Sequence, residues 1–122
     1  PLLVGRLDDP CELFGSADAF LFTSIVEPFG LVLLEATCSG LPIYACECTG
    51  GGSELLHELQ AFVAPDDAMH LLAEAVSRDE LRLPEELIKT TKERYSWEKI
   101  ARATSHVYLD CLRQPPSAAK IR

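Results

Sequence analysis

Short apolar runs alternate along the chain with longer stretches of helical spacing, and that alternation predicts an α/β fold. Pro1 to Gly5 is a brief apolar run closed by glycine, read as a first strand. After the loop from Arg6 to Pro10, CELFGSA predicts a short helix, and DAFLFTS a buried strand of aromatic and aliphatic residues. Phe29 to Ser39 has the length and content of a helix, with Gly40 where a terminating glycine belongs. Leu41 to Cys46 is the next strand, its Pro42 tolerable only near the start. The glycine cluster TGGGS follows directly, and ELLHEL continues as a short helix. Ala61 to Ala64 is the fourth strand, followed by the helix AMHLLAEAVS with Asp66 and Asp67 in its first turn. From Asp79 onward no strand is expected. Pro84 to Tyr95 and Trp97 to Leu112 predict two amphipathic helices, the second with Ile100, Ala103, Val107, Tyr108 and Cys111 at helical spacing.

Strands that alternate with helices predict a parallel sheet with helices on both faces, and ligands bind outside the carboxyl ends of such strands. Two loops, Ser24 to Gly30 and Thr49 to Ser53, sit at those ends. A length of 122 residues fits one domain, expected over residues 1–113 with a frayed tail over 114–122. With 48% hydrophobic and 25% charged residues the chain can build a core, which argues against disorder. A formal charge of -8 repels phosphate backbones, so non-specific nucleic-acid binding is excluded as the main role. A local pocket can still draw an anion through backbone N–H groups, which net charge does not report. Five cysteines, an odd number with no signal peptide ahead of them, imply a reducing, cytoplasmic setting. Cys46 and Cys48 lack a second pair at zinc-like spacing, so no metal site is expected. The apolar region from Ala19 to Cys46 is broken by Glu27, Pro28, Glu35, Gly40 and Pro42, well short of the roughly 20 uninterrupted residues of a membrane span.

Between Pro28 and Cys46 the only charged side chain is Glu35, on a helix face with Leu31, Leu34 and Cys38. A carboxylate among such neighbours is expected to be buried and to need a partner. That partner is either an internal one, as in a salt bridge or cap, or a ligand hydroxyl. Glu27 lies in the loop before the same helix; taken alone, it reads as a surface acid. The spacing E-x7-E, Glu27 to Glu35, puts one acid on the loop and the other two turns into the helix, so both can reach a ligand lying across the helix start. Unpaired N–H groups near Gly30 and Leu31 and the helix dipole favour a phosphate there, and Gly30 lets it approach the backbone closely. A ligand with hydroxyls at both ends and phosphate between them, such as a nucleotide-sugar, fits this arrangement.

Here the sequence resembles the retaining GT-B glycosyltransferases of the family 4 type. The stretches that carry the resemblance are SADAFLFTSIVEPFGLVLLEATCSGLPIYA, TGGGSELL, FVAPDD and RYSWEKIARATSHVY, spanning about Leu2 to Tyr108. The resemblance implies part of a Rossmann-like donor-binding domain, the C-terminal domain of the GT-B fold. Glu27, the catalytic residue of the set, would contact hydroxyls of the donor sugar, and Phe29, Gly30 and Leu31 would offer backbone groups to the diphosphate and sugar. Glu35 would accept hydrogen bonds from the ribose hydroxyls. Gly50 and Gly51 would complete the donor site. TGGGSE carries one residue more than the usual spacing, so Gly51 with Gly52 is the other register. Such enzymes transfer a hexosyl group from a nucleoside diphosphate sugar, UDP-sugars among them, with retention and without a bound metal or other cofactor.

The same resemblance shows what to expect of the whole. The family's upstream Arg and Lys pair for the diphosphate has no counterpart in this alignment, nor has the N-terminal acceptor domain. The chain alone is therefore expected to be an inactive half-site, with an exposed sheet edge through which copies could pair. The alternative is a non-catalytic nucleotide-binding or regulatory module of the same fold. His57 reads as a helix-surface residue, Glu54 as either a helix-start acid or a ligand contact, and Trp97 and Tyr95 as packing aromatics. His70 and His106 receive no role.

Overall fold

In the computed structural model, described over residues 3, 5–65, 69–78 and 81–113, three strands run parallel in the order β1 (Phe20–Phe22), β2 (Ile43–Cys46), β3 (Phe62–Ala64). Helix α1 (Cys11–Ser16) precedes the sheet, and α2 (Leu31–Cys38) and α3 (Gly51–Glu58) connect its strands. Then come α4 (Met69–Arg78), α5 (Glu85–Arg94) and α6 (Trp97–Arg113).

Side-chain alternation decides what each face of the sheet must carry. Leu21, Tyr44 and Phe62 are paired across one face; Phe22, Ala45 and Val63 are paired across the other. On the first face Tyr44, Cys46 and Ala64 form a buried cluster with Leu72 of α4, and the Tyr44 and Phe62 ring centres lie 6.0 Å apart. Ile43 and Ala45 point the opposite way and are also buried, with α2 packed against β2. Helices therefore cover both faces, as the alternation predicts. Full burial of side chains such as Leu33, Ile43 and Leu59 contributes about 1.5–3 kcal/mol each. β1 lies at one edge of the sheet, with Leu21 exposed.

Local chemistry sets the helix ends. Gly40, at φ +84°, follows α2, and the Gly40 and Leu41 N–H groups donate to the carbonyls of Thr37 and Ala36. This is the pattern in which a left-handed residue absorbs the last orphan carbonyls. α3 ends the same way: Gln60, at φ +55°, donates to His57, and Ala61 donates to Leu56.

Two expectations change. Leu3 is 95% exposed and neither it nor Gly5 is in a strand; residues 1, 2 and 4 of that first apolar run lie outside the described residues. The glycine cluster is not a loop ahead of a helix, because α3 begins inside it at Gly51. The chain divides into two compact units, Pro1–Thr91 and Lys92–Arg122. In the second, α6 has no buried residue and Trp97 is 78% exposed. Tyr95 is half-buried, with the Arg94 guanidinium 5.5 Å from its ring centre. The expected tail over 114–122 and the acids Asp66 and Asp67 lie outside the described residues.

Candidate functional site

β1 and β2 are neighbours, so the loops leaving their carboxyl ends run side by side. An isolated parallel bridge, Val26 with Thr49, carries the pairing beyond the strands. The Thr49 N–H donates to the Ile25 carbonyl at 2.9 Å, and the Glu27 N–H donates to the Thr49 carbonyl at 2.9 Å. The Thr49 hydroxyl adds a longer bond to the Ile25 oxygen, 3.4 Å. On the far side of Glu27 its carbonyl accepts the Gly52 N–H at 3.0 Å. Both backbone groups of Glu27 are thus held, which also satisfies one orphan donor at the start of α3.

The glycine run has a steric cause. A Cβ on Gly50 would stand 2.5 Å from the Glu27 carbonyl oxygen, and one on Gly51 would stand 2.5 Å from that of Pro28. One on Gly52 would stand 2.7 Å from both Cβ and Cγ of Glu27. Gly50 also takes φ +93° and ψ -168°, a region open essentially to glycine alone. The two loops are packed backbone on backbone, and all three glycines are needed for it.

The Glu27 side chain is half-buried and folds back on its own loop, its Oε1 accepting the Phe29 N–H at 3.2 Å. The Phe29 N–H is therefore engaged within the chain. Gly30 is buried at φ +92°, and the place a Cβ would take is filled by Leu33, whose Cδ1 would lie 2.8 Å away. Phe29 and Leu31 are 44% and 57% exposed.

Glu35 differs most from expectation. It is exposed, one turn from Leu31 on the solvent stripe of α2, while Leu33, Leu34, Ala36 and Thr37 form the buried side. Water solvates its carboxylate, so no internal partner is required. Its charge reaches the start of α1, where it adds slightly to the forces raising the Cys11 thiol, chiefly a hydrogen bond with Asp9 and the Asp9 charge. Among the described residues neither Glu27 nor Glu35 is in an ion pair. The structure thus brings Glu27 together with Gly30, Gly50 and Gly51, and sets Leu31 and Glu35 along the adjoining exposed stripe.

Beside the bridge lies an open cleft of about 850 Å³ whose lining includes Ile25, Cys48, Thr49, Ser53 and His57. Glu27 and Glu35 do not line it. Burial pushes the half-buried Cys48 thiol up, and the nearby Glu27 charge pushes it further. His57 is exposed on the cleft wall, in keeping with a helix-surface residue. Among the described residues no group of three His, Cys, Asp or Glu side chains is placed to hold a metal ion, and no helix is long and apolar enough to cross a membrane.

The sequence singles out Gly52 only as the other register of the glycine pair, Cys48 only as half of a C-x-C without a zinc partner, and Thr49 only as the start of the second loop. Three consecutive glycines after a strand are a signal of close backbone approach, but the approaching backbone lies some twenty-odd residues earlier.

A sheet of parallel strands, with a glutamate loop seated on a glycine turn beyond its carboxyl end, defines the class: a doubly covered α/β domain. The chain belongs to the glycosyl transferases group 1 family, whose profile matches residues 2–102. It is 31% identical over 103 residues to an uncharacterized glycosyltransferase of Methanocaldococcus jannaschii, covering 80% of this chain and 26% of that protein. It is 32% identical over 118 residues to a glycogen synthase of Mycobacterium tuberculosis, covering 90% and 28%. It is 30% identical over 121 residues to an N-acetyl-alpha-D-glucosaminyl L-malate synthase of Bacillus anthracis, covering 92% and 31%. The chain spans roughly a quarter to a third of the length of these relatives.

Proposed function

We propose that this chain carries the nucleotide-sugar half-site of a retaining hexosyltransferase. Glu27 faces the hydroxyls of the donor sugar, Gly30 and Leu31 lie against the diphosphate, and Glu35 holds the ribose hydroxyls. The observation that carries the reading is the E-x7-E segment itself. It runs from the carboxyl end of β1 along the exposed stripe of α2, so Glu35 is accessible to a ligand while the Glu27 backbone is held by Thr49 and Gly52. The Phe29 N–H, engaged with Glu27, keeps that carboxylate oriented in place of a direct ligand contact. Gly50 and Gly51 serve the site by admitting the Glu27 loop. No metal or cofactor belongs to this reading, and the setting is the reducing cytoplasm.

The relatives are three to four times longer than the matched span, so the chain alone binds donor without transferring sugar. Alignment of two reacting groups needs both halves of such an enzyme. Isothermal titration with UDP, GDP, ADP and their common sugar conjugates tests this. Saturable binding to one pair is expected. Glu35→Ala should weaken it by about 1.5 kcal/mol, the lower end for charge-assisted hydrogen bonds because Glu35 is exposed in the unliganded chain. Binding that is unchanged in the folded variant removes the ribose role. No binding by the folded wild-type chain favours the second reading, a non-catalytic module of the same fold.

A further inference from the structure

We propose that Gly52 is the positioning residue of Glu27, with Thr49 as its partner, so that selectivity for the sugar part of the donor is set by the first turn of α3 as well as by the glutamate loop. This rests on the donor-site reading above for its ligand, while its geometry stands independently of it.

The Gly52 N–H fixes the Glu27 carbonyl at 3.0 Å, and Thr49 fixes the Glu27 N–H at 2.9 Å from the other side. These two bonds hold the backbone; the bare Cα of Gly52 sets the side chain. A methyl there would come within 2.7 Å of both Glu27 Cβ and Cγ, so the observed direction of the carboxylate arm exists only because position 52 has no side chain. Oε1 then accepts the Phe29 N–H, so the remaining oxygen is presented in a fixed direction. Displacing the arm misdirects that oxygen without touching Glu35 one turn along the exposed stripe of α2. Loss of sugar recognition with nucleotide recognition intact is the signature of such a positioning residue, and a general loss of structure would not produce it.

The test uses the full chain and two readouts. The first is titration with UDP and with UDP-glucose, repeated with the GDP and ADP pairs where wild type prefers those. Gly52→Ala should lose at least tenfold in affinity for the sugar conjugate while affinity for the bare nucleotide stays within twofold; Glu35→Ala should weaken both. The second needs no ligand. Cys48 feels the Glu27 charge, so its alkylation by iodoacetamide at pH 8, followed peptide by peptide, reports where that carboxylate lies. Glu27→Gln should speed it, and Gly52→Ala should move the rate toward that of Glu27→Gln. If wild type binds no nucleotide-sugar, the donor reading fails and Cys48 alone decides the positioning. Should Gly52→Ala not fold, Glu27→Asp, which draws the carboxylate back by one methylene while position 52 stays bare, carries the same comparisons: sugar-conjugate affinity and the Cys48 rate should move while bare-nucleotide affinity stays within twofold. An unchanged ratio of sugar conjugate to nucleotide affinity, or a wild-type Cys48 rate where no ligand binds, overturns the proposal.

Discussion

Replacing Gly50 by alanine isolates the energetic worth of the contact between the two loops. The new methyl meets two separate penalties. At φ +93° and ψ -168° a side chain is strained whatever the space, a cost of about 1–3 kcal/mol. The same methyl would stand 2.5 Å from the Glu27 carbonyl oxygen and 3.2 Å from its carbon. These are backbone atoms, so relief requires shifting the chain at Glu27, and overpacking of this kind costs about 1–3 kcal/mol. That shift also strains the 3.0 Å bond from the Gly52 N–H. The expected loss is roughly 2–6 kcal/mol, a large share of the ~5–15 kcal/mol of an ordinary domain. Urea unfolding followed by far-ultraviolet circular dichroism measures it. Tryptophan fluorescence does not, since Trp97 belongs to the second unit. With a slope of about 2 kcal/mol per molar, the midpoint should fall by at least ~1 M. Amide exchange at Glu27, Thr49 and Gly52 should accelerate with it. Gly15→Ala is the control: nothing lies within 4 Å of its Cβ on α1, so helix propensity should leave stability equal or higher by up to ~1 kcal/mol. A Gly50→Ala midpoint indistinguishable from that of Gly15→Ala would refute the packing argument.

Two further outcomes follow from local chemistry. Gln60 ends α3 in the left-handed region, where glycine carries no penalty, so Gln60→Gly should raise stability by about 1 kcal/mol, read as a higher urea midpoint. A lower midpoint contradicts the assignment of strain. Asp9→Asn removes the charge that, with its hydrogen bond, holds the Cys11 thiol above its ordinary range. The thiol should then ionise at lower pH and alkylate faster at pH 8; an unchanged or slower rate at the Cys11 peptide counts against the coupling.

Most of the fold is legible in the sequence because each element follows from a local rule. The run FLF, the apolar IYAC and the glycine after α2 give their elements within a residue or two, since propensity and packing agree there. The face of α2 is not legible. Its apolar residues surround the helix, so no stripe distinguishes the buried side, and Glu35 is assigned to the interior on the strength of neighbours such as Leu31 that are themselves exposed. The steric need for the glycine triplet is not legible for a different reason. Its requirement comes from Glu27 and Pro28, which are distant in sequence and arrive only through the neighbouring of β1 and β2.

That neighbouring also explains why a glutamate on a loop can be a precise contact. Loops at the ends of strands usually move more than the strands, and a carboxylate on a mobile loop loses part of any binding energy to ordering. Here the parallel register continues past the strand ends through Val26 and Thr49, so Glu27 is one residue beyond a ladder rather than in the middle of a free loop. The glycines close the far side. Rigidity at Glu27 therefore comes from the sheet, and solvent access at Glu35 comes from the exposed stripe of α2. A donor bridging the two would meet one group already ordered and another able to adjust.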